Sequence, residues 1–262
     1  MDTGILKEQA DFLITYLEKE LRGANPPTRR CGGFEESWAR LRALMNVRPP
    51  KPLDPQVAII QDSLLTSLIE ARGIMRASSL PAQEGISLWR GDITTLDADA
   101  IVNAANSQML GCFVPGHHCI DNAIHTFAGM QLRWECAQIM ARQEHPEPIG
   151  KAKVTHGYNL PARQVIHTVG PTANGNPSKQ DERDLASCYA SCLDAAVSSD
   201  CASIAFCCIS TGVFGFPCEP AAAIAVSAVR TWLEEHPDAR LHIVFDVFTD
   251  EDERIYHDLL DR

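Results

Sequence analysis

No stretch of this 262-residue chain approaches the roughly 18 uninterrupted apolar residues of a membrane-spanning helix, so no span is expected. The opening residues, MDTGILKEQADFLITYLEKEL, carry acids throughout and lack the apolar run of a secretory signal. A cytoplasmic location is therefore expected. Basic residues are scarce: 23 Lys and Arg stand against 34 Asp and Glu, for a net charge of −11. Binding a nucleic-acid backbone needs clustered Lys and Arg, so direct nucleic-acid binding is not expected. A phosphate-bearing small ligand is still allowed, because backbone N–H groups in glycine-rich turns and at helix N-termini hold phosphate without net positive charge. Internal repeats and low-complexity tracts are absent too.

What the chain does have is cysteine, ten in all. In a secreted chain that count would suggest disulfides; here the thiols are expected to be reduced, most of them small core residues as in SIAFCCIS.

Apolar residues at three- and four-residue spacing predict helices over 5–21, 34–47 and about 55–73. GANPP stops the first, RPPKP breaks the second, and Pro55 suits the first turn of the third. These helices read as a packing cap or a partner surface. Residues 1–76 then form a helical N-terminal extension, 77–85 a linker and 86–262 the main domain. In that last part short apolar runs alternate with helical segments. ISLWRGDI reads as a strand followed by a turn and AIVNAAN as a strand running into a loop; KVTHGY, QVIHTVG, SIAFCCI and LHIVFDVF also read as strands. Residues 120–142, DLASCYASCLDAAV, EPAAAIAVSAVRTWLEE and EDERIYHDLL read as helices. Such alternation predicts an α/β fold whose mainly parallel sheet is covered on both faces, with ligands bound beyond the strands' carboxyl ends.

Four motifs fall at those ends. Cys112-Phe-Val-Pro-Gly-His117-His118-Cys119 packs two thiols and two imidazoles into one loop, the donors zinc favours. Three ligands, both cysteines and one histidine, would leave a catalytic open position; a chance cluster in a Cys-rich chain is the alternative. Ile209-Ser210-Thr211-Gly212-Val213-Phe214-Gly215-Phe216 precedes a helix start and suits a pyrophosphate, or is a plain strand–helix turn. Gly91-Asp92-Ile93-Thr94 is a turn in which Asp caps the backbone or meets a ligand. Asn103 and Asn106 at a strand end suit sugar hydroxyls or close a turn. Asp121 and His125 share a helix face, Asp121 as cap or base and His125 as packing residue or ligand.

Taken in order, GDIT, VNAAN, CIDNAIHTFAG, HTVGPT and CISTGVFGFP resemble the macrodomain family over about residues 85–262. The resemblance implies a three-layer αβα sandwich with a mixed, mainly parallel sheet and an ADP-ribose cleft. Asp92 would accept from the adenine amino group, Ile93 supply a backbone contact and Phe248 pack near the base. The 111–121 and 210–216 loops would cradle the diphosphate, Phe214 and Phe216 line its distal end, and Asn106 and Asp121 hold the distal ribose and its water. GCFVPGHHC stands where typical hydrolytic macrodomains have a glycine run. With the helical extension, it resembles the zinc-dependent subgroup, whose ligands would be Cys112, His117 and Cys119; His118 falls at a variable position. The implied activity is removal of ADP-ribose from modified proteins, with Zn2+ as cofactor and an ester to an acidic side chain as the preferred bond. O-acetyl-ADP-ribose deacetylation and non-catalytic ADP-ribose binding are the alternatives.

Overall fold

The apolar stripes of the first third close into three helices, α1 (Thr3–Arg22), α2 (Phe34–Val47) and α3 (Pro55–Arg72). Asp2 and Asp54 cap α1 and α3, their carboxylates accepting from the free N–H groups of the first turn. The computed structural model describes residues 2–23 and 31–261. Gly23, at φ 90°, ends α1; the rest of the GANPP stop lies outside the described residues.

The remaining elements are β1 (Met75–Arg76), β2 (Ile86–Arg90), β3 (Leu96–Asp97), β4 (Ala100–Ala105), α4 (Ile120–Ala128), α5 (Met130–Gln143), β5 (Ala152–His156), β6 (Gln164–Val169), α6 (Lys179–Ser198), β7 (Ser203–Phe206), α7 (Cys218–Glu235), β8 (His242–Val247) and α8 (Asp250–Leu260). Six strands form one sheet in the order β2-β8-β7-β4-β6-β5. All neighbours run parallel except β5, which is antiparallel to β6. The short β1 pairs with β3 beside it. Within 77–85, Ala77 is buried in a tight turn and Gln83 bridges to Ile86. Among the described residues no helix is long and apolar enough to cross a membrane.

The sheet is covered on both faces, which is why β7 and β8 are mostly apolar, with Asp246 the buried exception within β8. On one face Phe206 meets Tyr189 of α6, and Phe245 meets Tyr256 of α8, each at 5.0 Å between ring centroids. On the other, Asn103 of β4 and His167 of β6 are register partners that turn toward α4 and α5. This is the three-layer αβα sandwich with a mixed, mainly parallel sheet. The helical extension adds a further layer outside α4 and α5, with its own core of Leu13, Leu17, Leu41, Leu64 and Leu65 around Met130. Burial of each such leucine contributes about 2 kcal/mol.

Sequence periodicity runs through 120–142 as one helix, whereas the structure divides it at Gly129. Gly129 sits at φ 102°, and a Cβ there would meet Gln61 Nε2 at 2.6 Å. Glycine supplies the positive φ that ends α4, and the Met130 N–H then donates to Gln61 Oε1 of α3 at 2.9 Å.

Candidate active site

Parallel strands bring their carboxyl ends to one edge, and the singled-out motifs gather there. Asp92 follows β2, Asn106 follows β4, the 207–217 loop follows β7 and Phe248 follows β8.

Asp121 lies in the first turn of α4 and is nearly buried. Its Oδ1 accepts from Asn103 Nδ2 at 2.8 Å and its Oδ2 from Asn106 Nδ2 at 3.3 Å. Burial pushes its carboxyl up to about 6, while the Asn103 amide, the Arg133 charge and the Asn106 amide pull the other way. Asn106 also donates to the Gly111 carbonyl and accepts from the Gln108 N–H, so it closes the turn as well as meeting Asp121.

Asn103 corrects the sequence reading. It has no exposed surface, so it does not offer its amide to a sugar; it donates to Asp121 and to His167 Nδ1, 3.1 Å away. An amide N–H on Nδ1 requires the proton on Nε2, which is 2.9 Å from Thr155 Oγ1. Burial lowers His167 to about 3, so the ring is neutral. The chain Thr155–His167–Asn103 thus ends on the Asp121 carboxylate and fixes its plane. His125 packs its ring against Gly111, with neither ring nitrogen hydrogen-bonded and Nε2 3.6 Å from Asp121 Oδ1. Burial holds it neutral as well.

Two groups of metal-ligating side chains occur among the described residues, Cys112–His117–Cys119 and His125–Cys136–His167, each with its donor atoms within 4.8 Å of one another. The second group does not fit a cation, because both nitrogens of His167 are engaged by Asn103 and Thr155. The first group does fit. Cys112 Sγ stands 3.6 Å from His117 Nδ1, and tetrahedral zinc with ordinary bond lengths sets such a pair about 3.5 Å apart. All three side chains are half-buried, while His118 is exposed and outside the group. Cys119 is also the N-cap of α4, its sulfur accepting from the Asn122 N–H, and a helix N-terminus favours the thiolate that a metal needs. Without a cation, burial pushes the Cys119 thiol up to about 11.

At the other end of the edge, Asp92 Oδ1 accepts from the Thr94 N–H and hydroxyl and Oδ2 from Arg72 of α3 at 2.5 Å. Ile93 is buried, and Phe248 is 78% exposed. In the glycine loop Thr211, Phe214 and Gly215 are half-buried, Gly212 and Val213 exposed. Ser210 is held at φ 66° with its buried hydroxyl unpaired, a local strain typical of ligand loops. α7 starts behind Pro217 with no side chain capping it, so its first N–H groups remain for an anion. Phe216 is a second correction. It is 1% exposed within the main core, so it anchors the loop from beneath and does not line the cleft.

The Macro domain family profile matches residues 102–225. The chain is also 48% identical to the protein-ADP-ribose hydrolase of Treponema medium, covering 97% of this chain and 98% of that one. The chain belongs to the macrodomain family. Two solved macrodomains share its fold. That of Oceanobacillus iheyensis with ADP is 36% identical, with TM-score 0.61 over 67% of this chain and 90% of that one. That of Trypanosoma brucei in complex with ADP-ribose is 32% identical, with TM-score 0.59 over 96% of this chain and 86% of that one.

Several residues that build this macrodomain's site escaped sequence reasoning. Arg72 holds Asp92 from the helical extension. Asn122, fully buried beside Asp121, donates to the Val114 carbonyl inside the 112–119 loop. Arg133 of α5 donates to the carbonyls of Met45, Asn46 and Arg48 at the end of α2 and lies over the Phe113 ring, 4.3 Å from its centroid. Asp246 of β8 is buried with one oxygen unpaired, and burial together with the Asp92 charge keeps it protonated well above the usual carboxylate range. Only Asn122 had a local signal, its place in CIDNAIH; the others are set by long-range packing.

Proposed function

We propose that this macrodomain is a hydrolase that releases ADP-ribose from modified proteins, preferring esters to acidic side chains, with zinc held by Cys112, His117 and Cys119. One observation carries this reading: the head of α4 joins both functions, since Cys119 caps the helix and Asp121, two residues on, is braced by Asn103 and Asn106. The name of the Treponema medium relative, protein-ADP-ribose hydrolase, supports it along nearly the full chain.

In this reading zinc supplies Lewis acidity, lowering the pKa of a water or polarising a substrate oxygen. The chain's own residues do the rest. Asp121 is held in one plane by two amide donors, and its remaining lone pairs orient a water and accept its proton. Asn106 holds the distal ribose. The Ser210–Phe214 backbone and the uncapped start of α7 take the diphosphate. Asp92 accepts from the adenine amino group, which replaces part of its contact with Arg72, and the exposed Phe248 ring covers the base. The net reaction adds water across the ester, leaving free ADP-ribose and the side-chain acid. An ester needs less leaving-group assistance than an N-glycosidic bond, which suits a site with a single carboxylate base.

The test is ADP-ribose release from automodified protein, run beside deacetylation of O-acetyl-ADP-ribose. Faster release from the modified protein is expected. Turnover of the acetylated nucleotide alone would reassign the substrate, and binding without turnover of either would make the chain a reader.

A further inference from the structure

Side chains of α2, α4 and α5 meet around the loop that carries Cys112, His117 and Cys119. Arg42 NH2 donates to the His117 carbonyl at 2.8 Å and to Asn122 Oδ1 at 2.9 Å. Asn46 Oδ1 accepts from the Gly116 N–H at 2.9 Å. Asn122 Nδ2 donates to the Val114 carbonyl at 3.1 Å and lies 3.5 Å from the Cys112 carbonyl. Thr126 ties the bracket together, lying between Asn46 Nδ2 at 3.1 Å and Asn122 Oδ1 at 3.4 Å. Arg133 fixes the end of α2 that presents Asn46, through three backbone carbonyls. The loop itself contributes little to its own placement, since Phe113, Val114 and Pro115 are exposed.

Resting on the zinc reading above, we propose that Arg42 and Asn46 of the helical extension are positioning residues for the metal site, acting through Asn122. The extension then does more than cover an apolar face. A short loop with an exposed Pro-Gly turn has many conformations, and its three donors converge only in some. Fixing the His117 carbonyl, the Gly116 N–H and the Val114 carbonyl from outside removes that freedom before the metal arrives. Outer partners of this kind set metal affinity by about 10- to 100-fold. Arg42 reaches the His117 carbonyl and the Asn122 amide oxygen through one terminal nitrogen, so lysine, which also carries several N–H donors on one nitrogen, is its conservative replacement.

The experiment uses the full chain carrying Arg42→Met, Arg42→Lys or Asn46→Ala. Zinc affinity is measured by competition with a chromogenic chelator, and metal-free melting controls for folding. Arg42→Met and Asn46→Ala should each weaken zinc binding about tenfold or more, Arg42→Lys should fall between Arg42→Met and the parent, and excess zinc should restore turnover. Melting of the metal-free protein should change little. Parent-like zinc affinity in Arg42→Met, whatever its melting temperature, would overturn the proposal and leave the zinc reading standing. If Arg42→Met does not fold, the same comparison is made on Asn46→Ala, where parent-like affinity again overturns it. A parent chain that binds no zinc would overturn both readings together.

Discussion

Replacing His167 with Gln should flatten the acid side of this protein's stability curve. His167 is fully buried and neutral, and burial lowers it to about 3 from the ordinary imidazole value of about 6.5. The sign follows from which state takes up the proton. Below about pH 6.5 the unfolded chain protonates this ring while the folded chain does not, so stability is lost as pH falls and the loss continues toward pH 3. At about 1.4 kcal/mol per unit the full penalty is roughly 5 kcal/mol. Between about pH 7 and about pH 5 it is roughly 2 kcal/mol. Glutamine can still accept from Asn103 and does not titrate. Urea unfolding of both proteins at the two pH values should show the parent losing about 2 kcal/mol more than His167→Gln. His125, neutral for the same reason, leaves the variant with some acid sensitivity of its own. Equal losses in the two proteins would refute the reasoning, because His167 would then be solvated or charged in the folded state.

Asp92→Ala should weaken ADP-ribose binding about tenfold or more in calorimetry, the scale of a lost hydrogen bond to a charged group; unchanged affinity would place the adenine elsewhere. Gly111→Ala puts a Cβ 2.8 Å from the His125 ring at φ +77°, so melting should drop by the equivalent of about 2 kcal/mol and zinc retention should fall. A variant as stable as the parent would show that the 111 turn is free to move. Truncation to a start near Leu80 uncovers Met130 and Phe127, which pack against the extension. It should cost stability or solubility, whereas a soluble monomer melting like the parent would make the extension an independent module.

Much of this molecule could be read from the sequence, for identifiable reasons. β7 and β8 announce themselves because strands buried on both faces must be mainly apolar. α2 and α3 follow from apolar spacing, the RPPKP break and Pro55. The convergence of Asp92, Asn106, the 112–119 loop and the 210–216 loop follows from parallel topology. What could not be read depends on residues far apart in the chain. Asn103 looks like a sugar ligand until its register with His167 turns it into a brace for Asp121. Phe216 shares a glycine-rich loop with Phe214, and nothing local tells the buried ring from the half-buried one. Arg42 and Asn46 act on a loop 70 to 75 residues away.

The central claim is that the metal serves catalysis and leaves the fold alone. The main core holds Met109 and Ile124 on either side of the 112–119 loop and includes none of that loop's residues. Cys112→Ala and His117→Ala should therefore melt close to the parent, lose their zinc and release ADP-ribose from modified protein about 100-fold more slowly, the scale of losing a positioned catalytic group. Asp121→Ala should slow release while keeping zinc. Release at the parental rate from the zinc-free variants would contradict the account, and so would their outright unfolding.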